Sequence, residues 1–129
     1  MQGKPAYSFL DLEVYQDLFE LGVIVHKEVL PKLPSEEKFG LSDQLSRASK
    51  SAPTQIAEGY AKKHQRANWR KYLNDCMGEC NEMIVHLSFV LRLYGNRFEK
   101  GFLEKLIERY DIDGRRVHAL ANAWKKTAP

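Results

Sequence analysis

The sequence is short of cysteine: its two, Cys76 and Cys80, stand four apart in a helical pattern. That spacing points both along one helix face, which suits neither an unstrained disulfide nor a secreted framework. Two thiols also cannot complete a structural zinc site, which takes about four ligands, and no second pair stands at ligand spacing. Buried thiols in a core are expected, and no metal. Long apolar runs are missing too. Leu21 to Val25 falls far short of the ~20 residues a membrane span needs. The stretch MQGKPAYSFLDLE has no apolar signal-peptide core and soon meets Asp11 and Glu13. A cytoplasmic protein with no membrane role is expected. No glycine-rich phosphate loop, no Gly-x-Ser-x-Gly and no inner-face Glu-x-x-His set of a di-iron bundle occurs. The reading is of no enzyme, no catalytic residue and no cofactor.

What is present is ordinary for a folded domain: 129 residues, 43% hydrophobic, 29% charged, with a formal net charge of +3. One domain over 1–129 is expected, long enough to bury a core without staples. Three segments carry apolar residues at alternating spacings of three and four. Tyr15, Leu18, Gly22, Val25 and Val29 form the first stripe, flanked by Val14, Phe19, Leu21 and His26. Trp69, Leu73, Cys76, Cys80, Met83, Leu87, Val90 and Tyr94 form the third. Leu103, Ile107, Tyr110, Gly114, Val117, Ala121 and Trp124 form the fourth. Such runs are helices that each bury one seam. The fold class is all-α, an up-and-down four-helix bundle.

The second segment, about 41–63, turns Leu41, Leu45, Ala48, Ala52, Ile56 and Tyr60 inward, with small residues around them. Pro53 lies inside it, and proline lacks the amide that would bond the carbonyl of Ser49. A kink, or two abutting pieces, is expected near residues 49–53. Gly114 costs about 1 kcal/mol against Ala, yet its place on the stripe favours a close contact in one continuous fourth helix. Pro31 and Pro34 end the first helix, Lys38-Phe39-Gly40 leads into the second, and Gly95-Asn96 stops the third. Residues 1–8 read as an irregular arm and Thr127-Ala128-Pro129 as a frayed tail.

Chemistry concentrates between Tyr60 and Tyr72, where five cations, one histidine and three aromatics occur with no acid. Lys62 and Lys63 load the end of the second helix, a place its dipole favours. Arg66, Arg70 and Lys71 open the third, a place the dipole disfavours. A cationic helix start is poor for local stability and good for phosphate, because free amides and cations then point the same way. Lys62, Lys63, Arg66, Arg70 and Lys71 are therefore the candidate nucleic-acid contacts, with Arg47 and Lys50 as secondary ones. An aromatic could stack on a base, but Trp69 also fits the buried stripe. The bland alternative is a solvated basic turn on a protein-binding scaffold. His26 reads as a satisfied, half-buried histidine, and Glu82 with His86 as an exposed helix pair. Glu58, among small residues, reads as a buried acid with a structural tie to Arg47 or Lys50 of a neighbouring helix or subunit.

Phe9, Leu12, Val14, Tyr15, Gln16, then Lys38-Phe39-Gly40-Leu41, Gln44, Arg47-Ala48 and Ser51-Ala52-Pro53-Thr54-Gln55-Ile56-Ala57-Glu58-Gly59 carry a resemblance. The chain resembles the bacterial four-helix-bundle proteins encoded in intervening sequences of large-subunit rRNA genes. Tyr15, Thr54 and Gln55 stand where that family usually has Trp, Ser and Asn. The resemblance implies a homopentameric ring and no enzymatic activity. It also implies kinship with accessory proteins of diversity-generating retroelements, which bind a reverse transcriptase and nucleic acid. The apolar residues of the first helix, spread over more than one face, independently lead one to expect a closed cyclic oligomer. The partners expected are further copies of the chain, RNA or DNA, and a reverse transcriptase.

Overall fold

The computed structural model describes residues 8–127, without the side chains of 66–67 and 124–127. The expected arm over 1–7, the tail at 128–129 and the inward turn of Trp124 lie outside what is described. Four helices carry the fold: α1 Glu13–Ile24, α2 Leu41–Ala61, α3 Arg66–Tyr94 and α4 Phe102–Thr127. No strand occurs among the described residues. Each helix packs on the next, and α4 returns to α1.

Ser8 opens the described chain with a capping box. Its hydroxyl accepts from the Leu10 amide at 3.2 Å while its own amide donates to Asp11 at 3.2 Å, starting the short turn Phe9–Asp11. The seam of α1 then runs Val14, Leu18 and Leu21, with Gly22 also buried. Tyr15, expected on that seam, is half-buried and lies edge-on against Phe9 at 4.9 Å. The helix widens into a π turn over Val25–Val29, keeping Val25 and Val29 buried, before Leu30–Lys32 and Ser35–Glu37 finish the descent.

Of the two outcomes expected at Pro53, a split into abutting pieces does not occur: α2 is one helix of 21 residues with Pro53 inside it and buried. One lost backbone bond is a local cost, and Leu45, Ala48, Ala52 and Ile56 on the same seam are wholly buried. The carbonyl of Ser49, denied its donor by Pro53, faces α1, where a Cβ on Gly22 would lie 3.0 Å from its oxygen. The start of α2 is fixed from outside. Glu37 accepts the Leu41 amide at 3.2 Å and the Tyr94 hydroxyl at 2.6 Å, joining the ends of α2 and α3.

The seam expected for α3 is the one found, from Trp69 to Val90 without exposure above 1%. Cys76 and Cys80 belong to it as free thiols. In α4 the seam shifts. Leu103, Leu106, Tyr110, Asp113 and Val117 are buried, whereas Ile107, Gly114 and Ala121 are half-buried. This helix serves two neighbours, so its deepest line falls between the face toward α3 and the face toward α1. Gly114 sits in one continuous α4, its absent Cβ 3.7 Å from the Cβ of Cys80.

Candidate nucleic-acid interface

The link between α2 and α3 is short because Gly59 lets the two helices meet. A Cβ there would stand 3.3 Å from the Cβ of Tyr72 and 3.6 Å from the Trp69 carbonyl. Lys62 and Lys63 close α2 by donating amides to Gly59 and Tyr60 at 3.0 and 3.2 Å, and Gln65 turns back onto Lys62 at 2.8 Å. α3 then starts at Arg66 with no acid in its first turn and no side-chain cap. The turn is anchored by Trp69, which is fully buried. Trp69 is therefore a core residue and cannot stack on a base.

The cations of the turn lie along its aromatics. Lys63 Nζ stands 4.0 Å from the ring centre of Tyr60, Lys71 Nζ 5.2 Å from that of Tyr72, and the Arg70 guanidinium 5.8 Å from that of Trp69. Lys71 also meets Asp75 at 3.4 Å across one exposed helix turn, an interaction that solvent weakens. Lys62 and Lys63 are half-buried; Arg70 and Lys71 are exposed. The Arg66 side chain is outside the described residues, but its backbone opens α3 between these two pairs. Five cationic positions thus share one end of the bundle.

Arg47 and Lys50 do not join them. Twelve residues separate Lys50 from Lys62, which on a helix is about 18 Å. Arg47 is engaged by acids of α3, with Glu82 at 2.8 Å and Glu79 at 3.7 Å. Lys50 lines a long groove between α1 and α2, of about 660 Å³, with Phe19, Val23, Pro53 and Ala57. Glu58 is exposed and pairs with neither, because its helix turns it to solvent beside Thr54 and Ala61. The expected burial, and a tie to either cation within the chain, are corrected. His26 fits expectation, with Nδ1 2.9 Å from the Gly22 carbonyl and Nε2 3.0 Å from the Ser46 hydroxyl. Glu82 and His86 do pair, at 3.4 Å, with His86 half-buried.

Sequence reading missed the contribution of α4. Gly114 lies opposite Cys80, and α4 runs antiparallel to α3, so the second half of α4 approaches the basic end. Its last turn carries Lys125 and Lys126, whereas Arg115 and Arg116 stand near the level of Cys80, about as far from the turn as Lys50. Arg115 holds Asp111 at 2.9 Å and Arg116 holds Asp113 at 3.3 Å. A basic end to the last helix was the available signal.

A buried acid pair was also missed. Asp113 is wholly buried; that burial, and its hydrogen bond to Asp17 of α1, push its carboxyl up to about 8. Burial also raises Asp17, but the bonds from Asp113 and Arg109 outweigh it and hold Asp17 below the usual carboxylate range. One proton is thus kept between two carboxyls near neutral pH. Nothing in either local sequence marks an acid pair. Glu79 and Glu82 form a second, more exposed acid pair: burial raises Glu79, while bonds from Glu79, Arg47 and His86 lower Glu82 against its own burial. Cys76 is held protonated, since the hydrogen bond to Cys80 and burial both push it up, and its Sγ donates to the Ala52 carbonyl at 3.2 Å. Among the described residues no group of three or more His, Cys, Asp or Glu could hold a metal ion, and no helix is long and apolar enough to cross a membrane.

Comparison with known families decides the kinship. The family described as 23S rRNA-intervening sequence protein matches residues 10–111, from the turn before α1 into the middle of α4. The chain belongs to that family. The matched region of this intervening-sequence family member contains the whole basic turn and both partners of the Asp17–Arg109 contact. No curated protein and no solved structure matches the chain.

Proposed function

We propose that this family member is a non-enzymatic nucleic-acid-binding protein that acts as a closed cyclic oligomer of five copies. The observation that carries the reading is the cationic end of the bundle, where Lys62, Lys63, Arg70 and Lys71 surround a helix start with no acid in its first turn. Phosphate is the ligand such a site suits, because ammonium and guanidinium groups and the unpaired amides of a helix start all favour an anion. Aromatic contacts hold these cations near the helix end and leave base stacking out of the mechanism. Recognition is therefore electrostatic and largely independent of sequence. Five copies would repeat the patch at equivalent positions and multiply the +3 charge of one chain fivefold. Structured RNA or DNA is the ligand, and the natural settings are the ribosomal RNA insertion that names the family or a retroelement whose reverse transcriptase the ring assists.

The test is binding of labelled structured RNA and DNA across a salt series. The parent should bind most tightly at low salt, with log affinity falling linearly in log salt. Lys63→Glu, Arg66→Glu and Arg70→Glu together should abolish binding while helicity and oligomer size stay unchanged. A triple variant that binds like the parent, or binding indifferent to salt, would favour a protein-binding scaffold. The apolar α1–α2 groove is the feature that such a scaffold would use.

A further inference from the structure

Among the large apolar side chains left exposed, Leu10, Phe39 and Ile112 stand apart, and the other four fall on two separate surfaces. Phe19, 53% exposed, edges the α1–α2 groove. Val85, Phe89 and Leu93, 51%, 53% and 58% exposed, stand four residues apart along the outer face of α3. Residues four apart share a helix face, so these three form a ridge roughly 12 Å long. The groove has the same stride, since Tyr15, Phe19 and Val23 line it at four-residue intervals. Ridge and groove lie on different helix pairs, α3 on one side and α1 with α2 on the other.

Their charges are opposite. Lys27, in the π turn that follows α1, and Lys50 on α2 stand at the groove, both exposed and neither in an ion pair among the described residues. Acids stand at the level of the ridge on the neighbouring helix. Because Gly114 lies opposite Cys80 and α4 is antiparallel to α3, Glu108 comes level with His86 and Glu104 level with Val90. Both are exposed and unpaired among the described residues, whereas Glu82, one helical turn from His86 on α3, is already paired with Arg47 and His86. Arg92 is the cation on the ridge's own face.

We propose that the α3 ridge of one copy seats in the α1–α2 groove of the next, with Glu104 and Glu108 set against Lys27 and Lys50. The contact is heterologous: each copy offers a ridge and receives one, and repetition by a fixed rotation closes a ring. This rests on the ring reading above and names the surfaces that build it. Phe89 is the central anchor, entering between Phe19 and Pro53, where the small side chain of Ala57 leaves room. The basic end is on neither surface, so assembly leaves it free for phosphate.

Two variants test this by light scattering with size exclusion. The ridge variant carries Val85→Glu and Phe89→Glu; the groove variant carries Phe19→Glu and Lys50→Glu. All four positions are exposed, so circular dichroism should show both variants as helical as the parent. The parent should be a closed oligomer and each variant a monomer. Their equimolar mixture should form a 1:1 dimer and nothing larger, because it retains one intact ridge and one intact groove. Lys50→Glu with Glu104→Lys and Glu108→Lys should reassemble where Lys50→Glu alone is weakened. A parent that is monomeric would overturn the ring itself. An oligomeric parent whose variants assemble equally well, or whose mixed variants stay monomeric, would leave the ring standing and overturn this interface.

Discussion

Asp113 of α4 lies close enough to Asp17 of α1 for each carboxyl to shift the other's proton, in a place where Asp113 has no exposure to water. The two residues belong to the first and last helices and join the ends of the chain into one core. Arg109 and Arg116 flank them from α4, and Tyr110 lies buried alongside. Folded Asp113 holds its proton up to about 8, against 3.8 for an ordinary Asp. Between those values the folded chain binds more protons than the unfolded one, so stability falls as pH rises from about 4 to about 8. Asp17, lowered, acts below that window and costs stability as the solution becomes more acid. Thermal melts should therefore peak near the acid end of the window. Asp113→Asn keeps a donor toward Asp17 without the titration, and should flatten the decline between pH 5 and 8. Each 1 kcal/mol recovered is worth about 4 °C in Tm for a domain of this size. An unaltered pH profile in that variant would refute the shared proton.

Two glycines should respond oppositely to alanine. A methyl on Gly22 would sit 3.0 Å from the Ser49 carbonyl, a backbone atom that moves only with α2. Gly22→Ala should lose about 1–3 kcal/mol in urea unfolding. At Gly114 the methyl finds only the Cβ of Cys80 at 3.7 Å, an ordinary contact. Gly114→Ala should gain up to about 1 kcal/mol from helix propensity. Equal effects at the two positions would contradict the packing described.

Arg47 and the turn cations should separate in nucleic-acid binding. Arg47 is occupied by Glu79 and Glu82, so Arg47→Ala should leave the affinity and its salt slope unchanged. Lys62→Ala, Lys63→Ala, Arg70→Ala and Lys71→Ala should each flatten the slope by roughly 0.7 to 0.9 if each contacts one phosphate. Fluorescence anisotropy against a labelled RNA hairpin at several salt concentrations measures this. Trp69→Phe, a core change, should lower stability without changing that slope.

Neither thiol should react in the folded protein. Both are buried, and Cys76 is further held protonated by its bond with Cys80 and by burial. An aromatic disulfide reagent at pH 8 should label no thiol in the native state and both after unfolding. Rapid native labelling would show that the α3 seam opens at that point.

Much of this protein could be read in its residues because periodicity is a local property. The α3 seam from Trp69 to Val90 needs only the spacing of threes and fours, and the burial of every member follows. The basic turn is equally legible, since its charges are neighbours in the chain and helix ends confine them to one end of the bundle. Family kinship was also legible, in the stretch around Pro53.

Depth and partnership were decided only by the tertiary structure. Whether Pro53 breaks α2 depends on how strongly α1 and α3 hold the helix on either side, which no local spacing records. Glu58 faces solvent, and Arg47 turns to Glu79 and Glu82, because the rotation of α2 about its axis is set by the seam it buries. Asp17 and Asp113 look like surface acids in sequence. They become a buried pair only when α4 folds back on α1 and removes the water between them. Periodicity tells which residues a helix can bury; the meeting of four helices tells which it does, because burial requires a second surface.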